Sequence, residues 1–311
     1  MKVLTITLNP TVDKSTSIDK LIPEKKLRCE QPKFEPGGGG INVSRGLTRL
    51  GLESIAMFPS GGRTGKLLEQ LLEKEGIKSY PIEVAGETRE NFIVVETVSN
   101  QQFRFGMPGS EITTEEQLKI TTFLKEISPF PDFIVISGSL PPGVNPEYLR
   151  DIVKIAKEKG AKIIADTSGE ALAQMVDEGV FLLKPNLGEL ANLTGLESLD
   201  NDTADDAAQS LISKGKTEAI VVSLGPQGAY LVTKDTTQLV PAPTVKKLST
   251  VGAGDSMVAG MVSVLARGGD FLEMVKMGVA CGSAATMNSG TQLFKREDAE
   301  RLFQFLNRGD K

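Results

Sequence analysis

The chain has 311 residues, with 35 basic and 40 acidic side chains, no histidine and two cysteines. The missing histidine excludes Ser-His-Asp and Cys-His catalysis and any His-ligated metal site. A net charge of −5 without a basic cluster argues against a nucleic-acid surface, and Cys29 and Cys281, far apart and outside any CxxC, fit a reducing compartment better than a disulfide framework.

After one lysine the chain opens on V-L-T-I-T-L, an alternating strand pattern rather than the apolar stretch of a signal peptide. Residues 15–34 and 89–105 alternate polar and apolar side chains, which fits antiparallel strands exposed on one face. Gly86 and the run Gly106-Met107-Pro108-Gly109 punctuate the second segment like hinges. The two segments read as a small β-sheet lid that keeps water from a hydrolysis-prone reaction; plain edge strands of a main sheet are the alternative. Further on, F-I-V-I-S (133–137), K-I-I-A-D (162–166), F-L-L-K-P-N (181–186) and A-I-V-V-S-L (219–224) are near-continuous apolar runs, suited to strands buried on both faces. Helical patterns over 146–159 and 204–214 lie between them, and helices over 255–266, 271–287 and from Arg296 close the chain. This alternation predicts a single α/β domain: a doubly wound, mainly parallel sheet flanked by helices, with the lid strands inserted. No apolar run approaches the roughly 20 residues of a membrane helix, so the expectation is a cytoplasmic enzyme without a membrane partner.

Three glycine clusters carry the chemistry. L-S-T-V-G-A-G-D-S-M-V (248–258) places Gly252, Ala253 and Gly254 before a long apolar helix, where unpaired amides and the helix dipole bind anions. Asp255 follows at once, a carboxylate beside an oxyanion cradle. An ordinary glycine turn with an acid in the first helical turn reads equally well on spacing alone. P-G-G-G-G-I-N-V-S-R-G-L (36–47) lets a ligand approach the backbone and sets Asn42, both donor and acceptor, in a first helical turn. It is not a dinucleotide fingerprint, because Asn42 or Val43 falls where the third glycine belongs. S-G-G-R-T-G-K-L (60–67) imitates a P-loop but has Ser60 for the first glycine and Leu67 for the Mg²⁺-binding hydroxyl. In K-P-N-L-G-E (184–189), the residues by themselves favour a helix start with Asn186 as cap and Glu189 completing a capping box.

The segment G-G-G-G-I-N-V-S-R-G-L-x-R-L-G (37–51), S-G-S-L-P-P-G (137–143), K-P-N-x-x-E (184–189), S-L-G-x-x-G (223–228) and T-V-G-A-G-D (250–255) together resemble the ribokinase-like sugar kinases of the PfkB family, in order and over essentially the whole chain. E-P-G-G-G-G-I-N-V, S-L-G-P-Q-G-A and G-S-A-A-T-x-N-x-G-T are nearest to members that act on fructose 6-phosphate. One departure is Ser249, where many members carry Asp, which bears on ion binding and loop packing rather than on the base.

The resemblance implies a ribokinase-like fold and a glycolytic step: ATP-dependent phosphorylation of fructose 6-phosphate at the 1-hydroxyl, giving fructose 1,6-bisphosphate and ADP. It implies Asp255 as general base and Gly252, Ala253 and Gly254 as amides holding the developing charge. Lys184, Asn186, Ser223, Gly225 and Gly228 would take the nucleotide, and Asn186 with Glu189 would organise Mg²⁺ and its waters. Backbone carbonyls of Ser249, Val251, Ala285, Asn288 and Gly290 would hold K⁺. On the sugar side stand Asp13, Gly38, Gly39, Asn42, Arg89 and Ser139, with Lys26 and Arg28 reaching a partner's sugar phosphate in a homodimer joined through its lids. Taken alone, Arg89 reads more simply as an exposed lid arginine. Kinases of fructose 1-phosphate or tagatose 6-phosphate, the alternative activities, read G-G-K-G where this chain has Gly39. Two other classes are a nucleotide or sugar-phosphate sensor, which has little reason to keep Asp255 behind an anion cradle, and an NAD-dependent oxidoreductase, whose glycine fingerprint is missing.

Overall fold

A computed structural model describes residues 2–201, 203–288 and 290–308. The elements run β1 (Val3–Ile6), β2 (Thr11–Ile18), β3 (Lys33–Gly37), α1 (Gly39–Arg49), β4 (Ile55–Ser60), α2 (Gly62–Lys74), β5 (Lys78–Glu83), β6 (Arg89–Glu96), β7 (Gln101–Phe105) and α3 (Thr114–Glu126). There follow β8 (Phe133–Ser137), α4 (Glu147–Glu158), β9 (Lys162–Asp166), α5 (Gly169–Glu178), β10 (Val180–Leu183), α6 (Leu187–Thr194), α7 (Ala204–Ser213) and β11 (Thr217–Ser223). After them come β12 (Ala229–Thr233), β13 (Thr237–Val240), α8 (Ala253–Leu265), α9 (Phe271–Thr286) and α10 (Arg296–Arg308).

Nine strands form the main sheet in the order β13-β12-β11-β10-β9-β8-β1-β4-β5. All neighbours are parallel except β11–β12 and β12–β13. The chain leaves β1 toward β4 and β5 on one side and later fills β8 to β11 on the other, so the switch point lies between β1 and β8. Ligands bind outside the carboxyl ends of the strands at such a point.

Both faces of the sheet are covered, and strand residues therefore alternate between two cores. Ile134 and Ile136 of β8 pack with Leu149, Ile152 and Leu172 on one face, while Val135 joins Val43, Leu47, Val258 and Met261 on the other. Each such side chain removed from water contributes about 1.5–3 kcal/mol. V-L-T-I-T-L supplies strand β1 as expected, and despite the alternation all four of its residues are buried. Thr5 is tolerated there because its hydroxyl pairs with Ser44 Oγ at 2.8 Å, and Ser54 Oγ donates to the same atom at 2.9 Å. The run 181–186 stops being a strand at Leu183, ahead of Pro185, which has no amide for the ladder.

A separate four-stranded sheet has the order β3-β2-β6-β7. It differs from the purely antiparallel lid expected from alternation: β2 runs parallel to β6, and only the outer pairs are antiparallel. Its first strands span 11–18 and 33–37 rather than 15–34, and residues 19–32 between them form no strand. Pro23 and the run Glu24-Lys25-Lys26, with Glu24 at φ 60, interrupt the ladder there. Val12 anchors this sheet in a small core with Ile41, Phe58, Leu68 and Leu72, whereas Phe34, Phe105 and Met107 are exposed. Among the described residues no helix is long and apolar enough to cross a membrane.

Candidate active site

The site is assembled at the carboxyl ends of β1, β8, β9, β10 and β11, where the starts of α1 and α8 meet them. α1 begins because four glycines allow its backbone to press on the strand ends. A methyl placed on Gly39 would lie 2.2 Å from Ser137 Oγ and 2.7 Å from the Gly138 nitrogen. Gly38, at φ 113, caps the helix in a conformation that side-chain-bearing residues rarely adopt.

α8 starts at Ala253, two residues earlier than the apolar pattern suggests, because Gly252 turns the chain with φ 71 as its cap. Asp255 is therefore the third helical residue. The first helical hydrogen bond runs from Ser256 N–H to Gly252 O at 2.8 Å, so the amides of Gly252, Gly254 and Asp255 precede it. Ala253 departs from the expected trio, since its N–H turns toward Thr250 O at 3.4 Å.

Asn42 Nδ2 donates to Asp255 Oδ2 at 2.8 Å, joining the two glycine clusters. Burial pushes the Asp255 carboxyl up to about 6, reinforced by the charge of Asp166 and opposed by the Asn42 bond and Lys184. A carboxylate poised there is ionised near neutral pH yet basic enough to take a proton. Lys184, 8 % exposed, pairs through Nζ with Asp166 Oδ1 at 3.0 Å. Burial by itself would lower its pKa, but the attraction of Asp166, with Asp255 and Glu189 behind it, raises it, so the lysine stays a cation. The same Nζ stands 3.5 Å from where a Cβ of Gly254 would be, at the positive end of α8. Ser137 Oγ donates to Asp166 Oδ2 at 3.0 Å and fixes that carboxylate.

K-P-N-L-G-E forms the capping box: Glu189 N–H donates to Asn186 Oδ1 and Asn186 N–H to Glu189 Oε2, both at 2.9 Å. Ser223 N–H donates to Pro185 O at 2.8 Å, stitching this turn to S-L-G-P-Q-G. A cleft of about 470 Å³ opens beside it, bringing Ser223, Gly225 and Gly228 together with Ala253 and Gly254. Val245, Met257 and Val279 give it an apolar wall, with Thr250, Ser283 and Thr286 as polar points, dimensions and chemistry that suit a nucleoside.

On the opposite side, buried Asp13 of β2 accepts from Asn91 Nδ2 at 3.1 Å. Burial raises its pKa against the pull of Asn91 and Arg89. Arg89 donates through Nη1 to Met107 O at 2.6 Å and through Nη2 to Asn9 O at 2.9 Å, while its buried Nε has no protein partner. Asn9 Nδ2 reaches Ser139 Oγ at 3.3 Å and Pro108 O at 3.0 Å. Lys26 and Arg28 are not brought to this site: both are exposed in the 19–32 connection and pair with nothing among the described residues.

The loop behind the cradle gathers the remaining candidates. Ser249 Oγ donates to Gly290 O at 2.9 Å and accepts from Val251 N–H at 3.2 Å, so this serine laces the two segments of the loop together. Ser249 N–H reaches Thr286 O, and Asn288 N–H donates to Ala285 O at 3.1 Å. Sequence reasoning missed Asp166, Ser137, Asn9 and Asn91. Asp166 left a signal as the lone acid ending the buried run K-I-I-A-D, and Ser137 as the first residue of the motif S-G-S-L-P-P-G.

A base, a cluster of free amides and a buried cation beside a nucleoside-sized cleft define a phosphotransferase site. The sequence model of "pfkB family carbohydrate kinase" matches residues 3–298. The ATP-dependent 6-phosphofructokinase isozyme 2 of Escherichia coli is 43 % identical over 99 % of this chain and all of its own. The tagatose-6-phosphate kinase of Staphylococcus epidermidis is 33 % identical, with 97 % of each chain covered. Crystal structures of E. coli phosphofructokinase-2 with potassium, and with substrates and products, superpose with TM-scores of 0.95 at 43 % identity, covering 99 % of this chain and 99 % and 100 % of theirs. The chain belongs to the pfkB family of carbohydrate kinases.

Proposed function

We propose that this chain transfers the γ-phosphoryl group of ATP to the 1-hydroxyl of fructose 6-phosphate, giving fructose 1,6-bisphosphate and ADP. The carrying observation is Asp255, held by Asn42 within reach of the free amides that open α8. Asp255 removes the hydroxyl proton as the oxygen attacks the γ-phosphorus and the bond to the ADP oxygen breaks. The amides of Gly252, Gly254 and Asp255 and the ammonium of Lys184 hold the charge that gathers on the transferring group. The nucleoside occupies the cleft lined by Ser223, Gly225, Gly228, Val245 and Thr286.

Mg²⁺ would be held near Asn186 and Glu189 through its waters, and it supplies neutralisation of phosphate charge. The residues fit this role: Glu189 commits only Oε2 to the capping box, and among the described residues no cluster of three acidic or thiol ligands competes for the ion. K⁺ would be held by carbonyls of Ser249, Val251, Ala285, Asn288 and Gly290, where Gly290 O keeps one lone pair beyond the Ser249 bond.

The sugar hydroxyls fall to Asp13, Gly38 and Ser139, and the guanidinium of Arg89, held by Met107 O and Asn9 O on the same side, supplies a cation for the 6-phosphate. The small sheet acts as the lid of a single domain. Its exposed Phe34, Phe105 and Met107 favour a homodimer through the lids, which would carry Lys26 and Arg28 to the neighbouring site. Sedimentation that finds a fully active monomer contradicts that arrangement. The free cysteines, Cys29 exposed and Cys281 buried, suit the cytoplasm.

Tagatose-6-phosphate kinase is the second reading, and Gly39 decides against it. A lysine there would need the Gly138 backbone to give way, so this chain lacks the extra cation of that pocket. Side-by-side kcat/KM values for fructose 6-phosphate, tagatose 6-phosphate and fructose 1-phosphate test the assignment. Fructose 6-phosphate is expected to lead, with leakage to tagatose 6-phosphate. A higher value for fructose 1-phosphate overturns it.

A further inference from the structure

Arg45 follows Asn42 by three residues on α1, and its guanidinium is 2 % exposed. Nε and Nη2 form a fork on Glu75 at 2.8 and 2.7 Å, and Nη1 donates to Pro36 O at 2.9 Å and to Asn42 Oδ1 at 3.2 Å. Stapling α1 to the end of α2 explains the fork on Glu75 and would work equally well at the surface. It does not explain the contact with Asn42.

We propose that Arg45 is a positioning residue of phosphoryl transfer, which fixes the end of the Asn42 amide that faces Asp255. A guanidinium only donates, so the Asn42 atom turned toward it must be the oxygen, and the NH₂ group is then forced toward Asp255. With Arg45 removed, only the Asp255 carboxylate, itself an acceptor, still favours the NH₂ end, and that preference ends once it is protonated. The amide can then turn end for end at little steric cost, and its oxygen accepts from the protonated carboxyl. The protonated form, which cannot act as a base, is thereby stabilised. The other charged groups around Asp255 are Asp166 and Lys184 at the ends of β9 and β10 and Asp13 on β2, with Glu35 beside Arg45. Among the described residues the Asn42 oxygen has no other hydrogen-bond partner, so none of these groups enforces the orientation. Arg45 also faces Glu35, which takes the Thr291 hydroxyl next to Gly290, so the same guanidinium ties the sugar-side helix to the loop behind the cradle.

The proposal rests on the kinase reading, and the experiment separates the two. Fructose 6-phosphate-dependent ADP release by the unmodified chain tests that reading, and its absence takes both down. Given that activity, kcat and KM are measured from pH 5.5 to 9 for Arg45→Met, Asn42→Ala, the double variant and Glu75→Gln, each checked for folding by circular dichroism. Arg45→Met should lose roughly 10-fold or more in kcat with KM for ATP within about 2-fold, and its acid limb should move up by about half a pH unit or more. In the Asn42→Ala background the same substitution should change kcat by less than about 2-fold, because the amide it orients is gone. Glu75→Gln should lower the melting temperature and leave the acid limb in place. Should Arg45→Met fail to fold, Arg45→Lys, which keeps the charge and loses the fork, is measured in both backgrounds with the same expected signs. An unmoved acid limb, or equal losses with and without Asn42, reduces Arg45 to a structural staple and overturns the proposal.

Discussion

Replacing Asp255 by Asn should cost activity and add stability, and both follow from one perturbation. Burial raises the carboxyl from 3.8 to about 6, so ionising it costs the folded protein on the order of 3 kcal/mol relative to the unfolded chain. The sign follows from proton binding. Between pH values of about 4 and 6 the folded chain holds a proton that the unfolded chain has released, so the contribution of Asp255 to stability falls as pH rises through that window. The substituted amide carries no such charge, and its carbonyl can still accept from Asn42 Nδ2. The variant should match the unmodified chain near pH 4 and become more stable by about 2–3 kcal/mol above pH 6.5. Urea midpoints of the two proteins across pH 4.5–8 measure this directly. In parallel, kcat should fall by about 10²-fold or more, with nucleotide binding largely kept. The unmodified enzyme's kcat should rise through an acid limb near pH 6. A stability difference that stays flat with pH, or a variant keeping more than roughly a tenth of its turnover, refutes the argument.

Gly39→Ala places a methyl 2.2 Å from Ser137 Oγ and should cost about 1–3 kcal/mol and raise KM for the sugar phosphate, read by thermal melts and initial rates. Lys184→Met strands the Asp166 carboxylate and should destabilise by about 3–5 kcal/mol while raising KM for ATP; adding Asp166→Asn should recover the melting temperature but not the activity. Turnover should be higher in K⁺ than in Na⁺ or tetramethylammonium at matched ionic strength, and equal rates would remove the cation from behind the cradle.

The buried strands were legible because strands covered on both faces read as unbroken apolar runs, and β8, β9 and β11 lie where those runs stand. The helix start at Gly-Ala-Gly-Asp was legible from spacing, whereas its reading as an anion cradle came from the resemblance, because an ordinary glycine turn fits the same residues equally well. The small sheet was legible only as alternation: period two tells which face is wet, not the direction of the neighbour, so the parallel β2–β6 pairing could not be read. The geometry of K-P-N-L-G-E was legible, since the residues by themselves read as the capping box that the structure forms, whereas a second use as an ion's outer ligands leaves no separate mark in the same pattern. Asp166, Asn9 and Asn91 are single polar residues whose importance comes from long-range neighbours. Asn9 meets Ser139 across 130 residues, a juxtaposition that no local spacing encodes. Arg45 resembles any helix-surface cation until its burial is seen.

The central claim is that this chain adds a phosphate to carbon 1 of fructose 6-phosphate using Asp255 as the base. Phosphorus NMR of the product made from fructose 6-phosphate and Mg-ATP, run with the unmodified chain and with Asp255→Asn, tests it most directly. The account predicts stoichiometric ADP and a second sugar phosphate resonance on carbon 1 with the unmodified chain, and neither within the same time with the variant. ADP without a new sugar phosphate, or a product phosphorylated on another carbon, contradicts it.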